Sequence, residues 1–271
     1  MNPQLADLLA QTAAVMAGTA PQAQETGPVH VGVDLGTAYT VLVVLNDARQ
    51  PVAGEYQFAQ VVRDGLVVDF VGAVELVRAL KQRVEHRLGF ELTHAASAYP
   101  PGVPRAEVRA TANVLQAAGL DCSGLIDEPS AANNVLQVRD GAIVDVGGGT
   151  TGVAVIRDGQ VVYTADEATG GTHFSLVIAG AKNITFEQAE ELKKDPRQQP
   201  ALFPVIRPVM EKVATIVRRH IADQHVETIY LVGGTVAFPG MAGVVQAITG
   251  VKTLVPGAPL FVTPLGIAMH D

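Results

Sequence analysis

The stretch Ile143-Val-Asp-Val-Gly-Gly-Gly-Thr-Thr-Gly-Val-Ala-Val-Ile156 constrains this chain more than any other. An apolar run carries Asp145 at its end, three glycines and two threonines follow, and a second apolar run departs. The pattern predicts a strand, a tight turn and a returning strand, with an acid at the mouth of the hairpin. The glycines take every Cβ out of the turn, so backbone N–H groups can close on an anion such as phosphate. Asp145 would repel that phosphate directly. Its position makes chemical sense if a divalent cation, or a water to be activated, stands between them.

The pattern recurs at Val31-Gly-Val-Asp-Leu-Gly-Thr-Ala-Tyr-Thr40, with Asp34 as the acid and Val41-Leu-Val-Val-Leu45 as the departing strand. A single glycine cluster is more often an ordinary turn than a site. Two acid-tipped hairpins in one chain predict two similar half-domains that face one nucleotide.

At 271 residues there is enough chain for two compact units. The 48% hydrophobic content supports a real core, and the net charge of −8 argues against non-specific nucleic-acid binding. The single cysteine, Cys122, excludes an intrachain disulfide and fits a reducing cytoplasm. No stretch is apolar for long enough to span a bilayer, so no membrane partner is expected.

Residues 2–16 place Leu5, Leu8, Leu9, Ala13 and Met16 at helical spacing, and residues 18–27 have the composition of a linker. Such a helix packs on its own domain, or it docks in a groove on another protein. Residues 52–62 are expected to form further strand, with a turn at Asp64-Gly65. Residues 71–88 form an amphipathic helix whose charged face, Arg78, Lys81, Arg83, Glu85 and Arg87, is expected to be solvated surface. A strand over 95–99 stops at Pro100-Pro101, and a helix runs from Pro104 to about Ala118. A strand then reaches Asp127-Glu128, and Pro129 opens a helix at its favoured first turn. Glu128 there either caps that helix or holds the water that attacks a phosphate.

A tight turn at Asp158-Gly159 leads to a strand over 161–164, and Gly170-Gly-Thr172 is a third glycine turn before a helix. Thr185 caps a helix over 186–194, where Glu190 stands one turn from Lys193 and Lys194. Residues 196–208 read as a broken, proline-rich connection, and 209–223 as a long helix. The strand 228–232 ends in a fourth glycine turn, Gly233-Gly234-Thr235. Alternating strands and helices of this kind imply an α/β protein with a sheet in each half and its ligand at the strand ends. The histidines show no metal-ligand spacing; His173 reads as a helix-start residue, and Cys122 has no evident activating partner.

The order of these motifs resembles the actin-like ATPase superfamily over nearly all of residues 31–269. Asp34-Leu-Gly-Thr-Ala-Tyr39 is similar to its first phosphate motif, Asp127-Glu-Pro-Ser-Ala-Ala132 to its first connecting motif, and Asp145-Val-Gly-Gly-Gly-Thr150 to its second phosphate motif. Leu231-Val-Gly-Gly-Thr235 resembles the adenosine motif, and Pro264-Leu-Gly-Ile-Ala268 the second connecting helix. The resemblance implies two ribonuclease-H-like lobes around a nucleotide cleft. Residues 1–27 would be the N-terminal helix and linker, 28–135 the first lobe, and 136–271 the second, with the last helix packing back toward the first.

It also implies roles. Asp34 and Asp145 would hold Mg²⁺ through waters, and Glu128 would orient the attacking water. Gly36, Thr37, Ala38 and Tyr39 would bind ATP or ADP phosphates from one side, and Gly147, Gly148 and Thr150 from the other. Thr37 would join the catalytic group. Gly170 and Gly171 would line the ribose side, Gly233 and Gly234 would approach the nucleotide, and Glu190, Lys193 and Lys194 would flank adenine and ribose. The heat-shock chaperones of this superfamily carry a catalytic lysine after the first hairpin. Here residues 50–69 contain no lysine and only Arg63, so hydrolysis is expected to be slow.

In size and pattern the chain most resembles the ethanolamine-utilisation protein J family. That implies a chaperone-like role on a protein client, an ethanolamine-degrading enzyme or a shell protein of a bacterial microcompartment, with the N-terminal helix as a cargo tag; oligomerisation stays open. A non-hydrolysing actin-fold scaffold or assembly module is the alternative. A sugar or acyl kinase ranks last, because the chain has no room for the extra substrate-binding elements of those enzymes.

Overall fold

The computed structural model describes residues 2–19, 27–63 and 65–271. Most of the linker expected over 18–27, and Asp64 of the expected Asp64-Gly65 turn, lie outside the described residues.

After helix α1 (Pro3–Met16), strands β1 (Val29–Leu35), β2 (Tyr39–Asn46) and β3 (Pro51–Phe58) form an antiparallel meander. A small hairpin, β4 (Val62–Arg63) and β5 (Leu66–Val67), precedes α2 (Phe70–Leu88), β6 (His94–Tyr99), α3 (Arg105–Ala117) and β7 (Asp121–Asp127). Strands β6 and β7 join β1 in parallel, which gives a five-stranded sheet of order β3-β2-β1-β6-β7. Helix α4 (Glu128–Leu136) leads to a second meander of β8 (Gly141–Val146), β9 (Thr151–Arg157) and β10 (Gln160–Glu167). Three helices follow, α5 (Gly171–Lys182), α6 (Phe186–Lys194) and α7 (Gln199–Ile221), and then β11 (Thr228–Val232), α8 (Met241–Thr249), β12 (Lys252–Leu254) and α9 (Val262–Ala268). The second sheet has the order β10-β9-β8-β11-β12, again with an antiparallel meander on one side and parallel strands on the other. The same topology is therefore built twice, and we call the two sheets with their helices the first and second lobes.

Each sheet is apolar on both faces because successive side chains of a strand point opposite ways. In β2, Leu42 and Val44 face α2 and α3, while Val41, Val43 and Leu45 face the other side. The outer face of the second sheet packs on α5, α7 and α8 through Val144, Val153, Phe174, Met210 and Val245. Between the sheets, Leu9 of α1, Val135 of α4 and Leu265 of α9 share one cluster with Val43, Ile143 and Ile156. Helix α1 thus packs on its own domain: Leu9 is 0% exposed, and Met16 sits over Gly54 of β3.

Two expectations are corrected. Residues 199–208 are helical, as the start of α7, not a broken connection. Pro200 occupies the first turn, where proline is tolerated. Pro204 and Pro208 each remove an internal hydrogen bond, yet they lie on the exposed side, while Leu202, Ile206, Met210 and Val213 bury the opposite stripe. Burial of that stripe outweighs the local penalty. The charged side of α2 is also not uniformly solvated. Lys81 is buried and pairs with Glu85 at 2.7 Å, and Arg87 reaches Gly54 O at 2.5 Å and Glu55 at 2.9 Å on β3.

The α7 prolines lead to a direct test. Pro208→Ala restores a helix donor on the solvent side and is expected to raise unfolding stability by about 1–3 kcal/mol, part of the interior-proline penalty being returned through the unfolded chain. Urea denaturation reads this as a higher midpoint at constant slope, and an unchanged or lower midpoint contradicts it.

Candidate functional site

The two hairpins are built alike down to their register. Asp34 pairs with Val41 one step before the last pair, Leu35–Thr40, and Asp145 pairs with Gly152 one step before Val146–Thr151. Four residues span each turn, and each is closed by the same bond: Gly36 N to Tyr39 O at 3.1 Å, and Gly147 N to Thr150 O at 3.0 Å. The turns meet face to face. A Cβ on Gly148 would stand 2.5 Å from the Ala38 Cβ, which no side chain could tolerate without displacing one turn.

The carbonyls of the second turn are taken up from behind. Gly171 N donates to Gly147 O at 2.9 Å, Thr172 N to Gly148 O at 2.8 Å, and the Thr235 hydroxyl to Gly147 O at 2.7 Å. By contrast, among the described residues the N–H groups of Thr37, Ala38, Gly148, Gly149 and Thr150 donate to no backbone carbonyl. Backbone N–H groups seldom stay unpaired unless something outside the chain accepts from them. Five such donors in two facing turns are suited to an anion.

The turns border a cavity of about 340 Å³, within the usual range for small-molecule sites. Asp34, Asp145 and Glu128 all line it. Asp34 and Asp145 are the penultimate residues of β1 and β8, and Glu128 is the first residue of α4. The capping role belongs to Asp127, whose carboxylate accepts from Ser130 N at 2.9 Å, so Glu128 is left to the cavity. Burial first, and then the charge of Asp145, push the Asp34 carboxyl up to about 7. Burial pushes Asp145 up to about 6, against a hydrogen bond from Thr263 that favours its charged form. Glu128 is raised well above its ordinary value by burial and then by Asp145 and Asp34. Three acids that resist ionising together are a donor set suited to a cation. Among the described residues no three His, Cys, Asp or Glu side chains converge closely enough to grip a metal ion directly.

Elsewhere on the cavity wall, Lys193 binds Glu190 at 2.5 Å, Ser175 Oγ at 2.9 Å and Gly171 O at 3.1 Å, and Ser175 also donates to Glu190. This buried knot is more than an ordinary intrahelical ion pair. Lys194 turns the other way, across the cleft. Its ammonium stands 5.1 Å from the centre of the Phe58 ring and 5.8 Å from that of Tyr39, within cation–π range.

The structure brings together Gly36, Thr37, Ala38, Tyr39, Gly147, Gly148, Thr150, Gly171, Glu190, Lys193, Lys194, Gly233 and Gly234 as the wall of this one cavity. Gly170 does not belong to that wall. It is buried one layer behind it, where a Cβ would meet Gly147 O at 2.6 Å. The Tyr39 ring packs on Tyr56 and Phe58. His173 accepts from Gly170 N at the start of α5, as a helix-start residue does. Among the wall residues that the sequence did not mark are Gln60 and Thr263. Gln60 follows Ala59, whose N–H binds Ala38 O at 3.1 Å. Thr263 donates to Asp145 Oδ2 at 2.8 Å. Its only signal was its place just before the Pro264-Leu-Gly motif.

Two sheets of one topology, with facing glycine turns and acids between them, define the fold of the actin-like ATPases. Family models agree: residues 50–187 match the MreB/Mbl protein family, and residues 130–261 match the type IV pilus assembly protein PilM. The crystal structure of MreB5 of Spiroplasma citri bound to ADP superposes with a TM-score of 0.73 at 18% identity, over 91% of this chain and 96% of that one. A nearer group is defined by the ethanolamine utilization protein EutJ of Salmonella typhimurium, 44% identical over 95% of this chain and 91% of that protein. The crystal structure of EutJ from Carboxydothermus hydrogenoformans superposes with a TM-score of 0.93 at 45% identity, over 99% of this chain and 98% of that one. The chain belongs to the EutJ family.

The raised carboxyls make stability depend on pH. The folded protein keeps protons at Asp34 and Asp145 that the unfolded chain has already lost above about pH 4. This stabilisation is complete below that pH and disappears as pH rises through about 6 and about 7. In buffer free of Mg²⁺ and nucleotide, the melting temperature is expected to fall between about pH 5 and pH 8, and Asp34→Asn to flatten the fall. An equally steep fall in Asp34→Asn would exclude the Asp34 carboxyl as its cause.

Proposed function

We propose that this protein binds ATP in the cleft between its lobes, hydrolyses it slowly, and acts by nucleotide-dependent closure on a protein client in ethanolamine utilisation. The observation that carries the reading is the set of five unengaged N–H donors on two turns, with three crowded acids beside them. Thr37, Ala38, Gly148, Gly149 and Thr150 present their N–H groups to the phosphates, and Asp34 and Asp145 hold hydrated Mg²⁺. Mg²⁺, when bound, neutralises charge on the phosphate oxygens. Glu128 orients a water toward the terminal phosphate and accepts its proton. The Glu190–Lys193 knot, with Gly233 and Gly234, borders the base and ribose. The ADP complex of an MreB with this fold supports the choice of ligand.

Closure changes the relative position of the two lobes, so a client that prefers one position is gripped or released with nucleotide state. The clients in this reading are ethanolamine-degrading enzymes or microcompartment shell proteins in a cytoplasmic setting, and membership of a family named for ethanolamine utilisation supports it. One observation favours a second reading, a scaffold that binds nucleotide without turning it over. The lysines of the cavity wall, Lys193 and Lys194, both come from the second lobe, and Arg63 does not line it.

Calorimetry with Mg-ATP and a single-turnover hydrolysis assay separate these readings. Glu128→Gln is expected to bind Mg-ADP within about twofold of the wild type while its hydrolysis falls about 10²-fold or more. Hydrolysis at the wild-type rate in Glu128→Gln would remove Glu128 from the mechanism. Tight binding with no turnover in the wild type, together with Mg-ATP-dependent sedimentation, would establish the scaffold.

A further inference from the structure

We infer that Thr263 is a positioning residue for Asp145, and that through it α9 ties the orientation of the lobes to the cation position. The inference rests on the nucleotide reading above. Of the three acids, Asp34 and Glu128 stand on first-lobe strand β1 and on α4, whereas Asp145 stands on the second sheet. Something has to register the third acid against the other two.

Helix α9 is seated on the first lobe. A Cβ on Gly266 would stand 1.8 Å from Ala131 O of α4, and one on Gly32 of β1 would stand 2.4 Å from Ala268 N. Asn134 of α4 donates to Gly266 O at 3.2 Å, and Arg49 donates to Ala268 O at 3.2 Å. The two glycine contacts are backbone-to-backbone approaches with no slack. From the first turn of this helix, the Thr263 hydroxyl leaves its own element and donates to Asp145 Oδ2 at 2.8 Å. Thr263 is only 4% exposed and β-branched, so few rotamers are open to it.

The other oxygen of Asp145 is confined as well. A Cβ on Gly233 would stand 2.3 Å from Oδ1, so that oxygen lies directly over the glycine. One carboxylate is thereby held from both sides, by a donor anchored to the first lobe and by a bare backbone of the second. Outer-shell partners of this kind orient the groups that hold a cation. Rotation of α9 relative to the second sheet would move the donor and release the carboxylate, and cation retention would follow lobe orientation.

The test is ADP titration with and without Mg²⁺ on the wild type, Thr263→Val and Thr263→Ser. Thr263→Val keeps the shape and loses the donor. We expect the gain in ADP affinity conferred by Mg²⁺ to shrink about 10-fold or more in Thr263→Val, while Mg-free ADP affinity stays at the wild-type level and Thr263→Ser keeps the full gain. If Thr263→Val fails to fold, Thr263→Ala carries the same expectation. An undiminished Mg²⁺ gain in Thr263→Val overturns the inference. So does an equal loss in Thr263→Ser, or a parallel loss of Mg-free affinity. A wild type that binds ADP while Thr263→Val matches it sinks this inference alone; a wild type that binds no ADP sinks the nucleotide reading, and this inference with it.

Discussion

The contact of Ala38 on Gly148 is the constraint on which the site depends. Two turns that both carried side chains at this point could not approach so closely. Leaving the Cβ out at Gly148 removes that spacer. The remaining backbone then has to satisfy opposite demands: its carbonyls need partners and its N–H groups have to stay open. Gly171, Thr172 and Thr235 meet the first demand from behind, which is why a third and a fourth glycine turn gather at the same place. Even Gly170, outside the wall, serves this arrangement by letting α5 approach the carbonyls of Gly147 and Gly148.

Electrostatics then sets what the cleft tolerates when it is empty. Crowding three carboxyls near one another costs free energy unless protons or a cation intervene. The fold accepts that cost in the cavity and recovers stability elsewhere, in a layer of apolar side chains shared by both sheets. The second lobe supplies the contrasting charge through Lys193 and Lys194, one locked to Glu190 and one lying over first-lobe rings.

The parts of this fold that were legible in the sequence are those governed by local chemistry. Acid-tipped glycine hairpins announce themselves because only a few residue types can make such turns, and the Asp127-Glu-Pro run carried its strand-to-helix switch on its face. The errors lie where distant partners decide. Proline rules predict a break before residue 209, and they lose to a stripe of buried residues whose value depends on the sheet beneath it. Lys81 and Arg87 read as solvent-facing because the turn beyond α2 and the neighbouring strand cannot be seen from the helix alone; the Arg87 partner Glu55 is 32 positions away. Thr263 and Asp145 are 118 positions apart, and a lone threonine before a proline has no local signature of such a bond. Gly170 and Gly171 are adjacent and alike in sequence, and only packing separates the one that faces the cavity from the one behind it.

The seat of Gly266 on the Ala131 carbonyl has a geometric consequence. Two helices that touch backbone to backbone at one spot cannot slide past each other, because a shift along either axis drives a neighbouring side chain into the space that only a hydrogen atom occupies. They can still swivel about that spot. Any movement of these two helices against each other that leaves both intact is therefore a scissor-like turn around a fixed axle near Ala131, and their far ends travel much further than the residues beside the pivot.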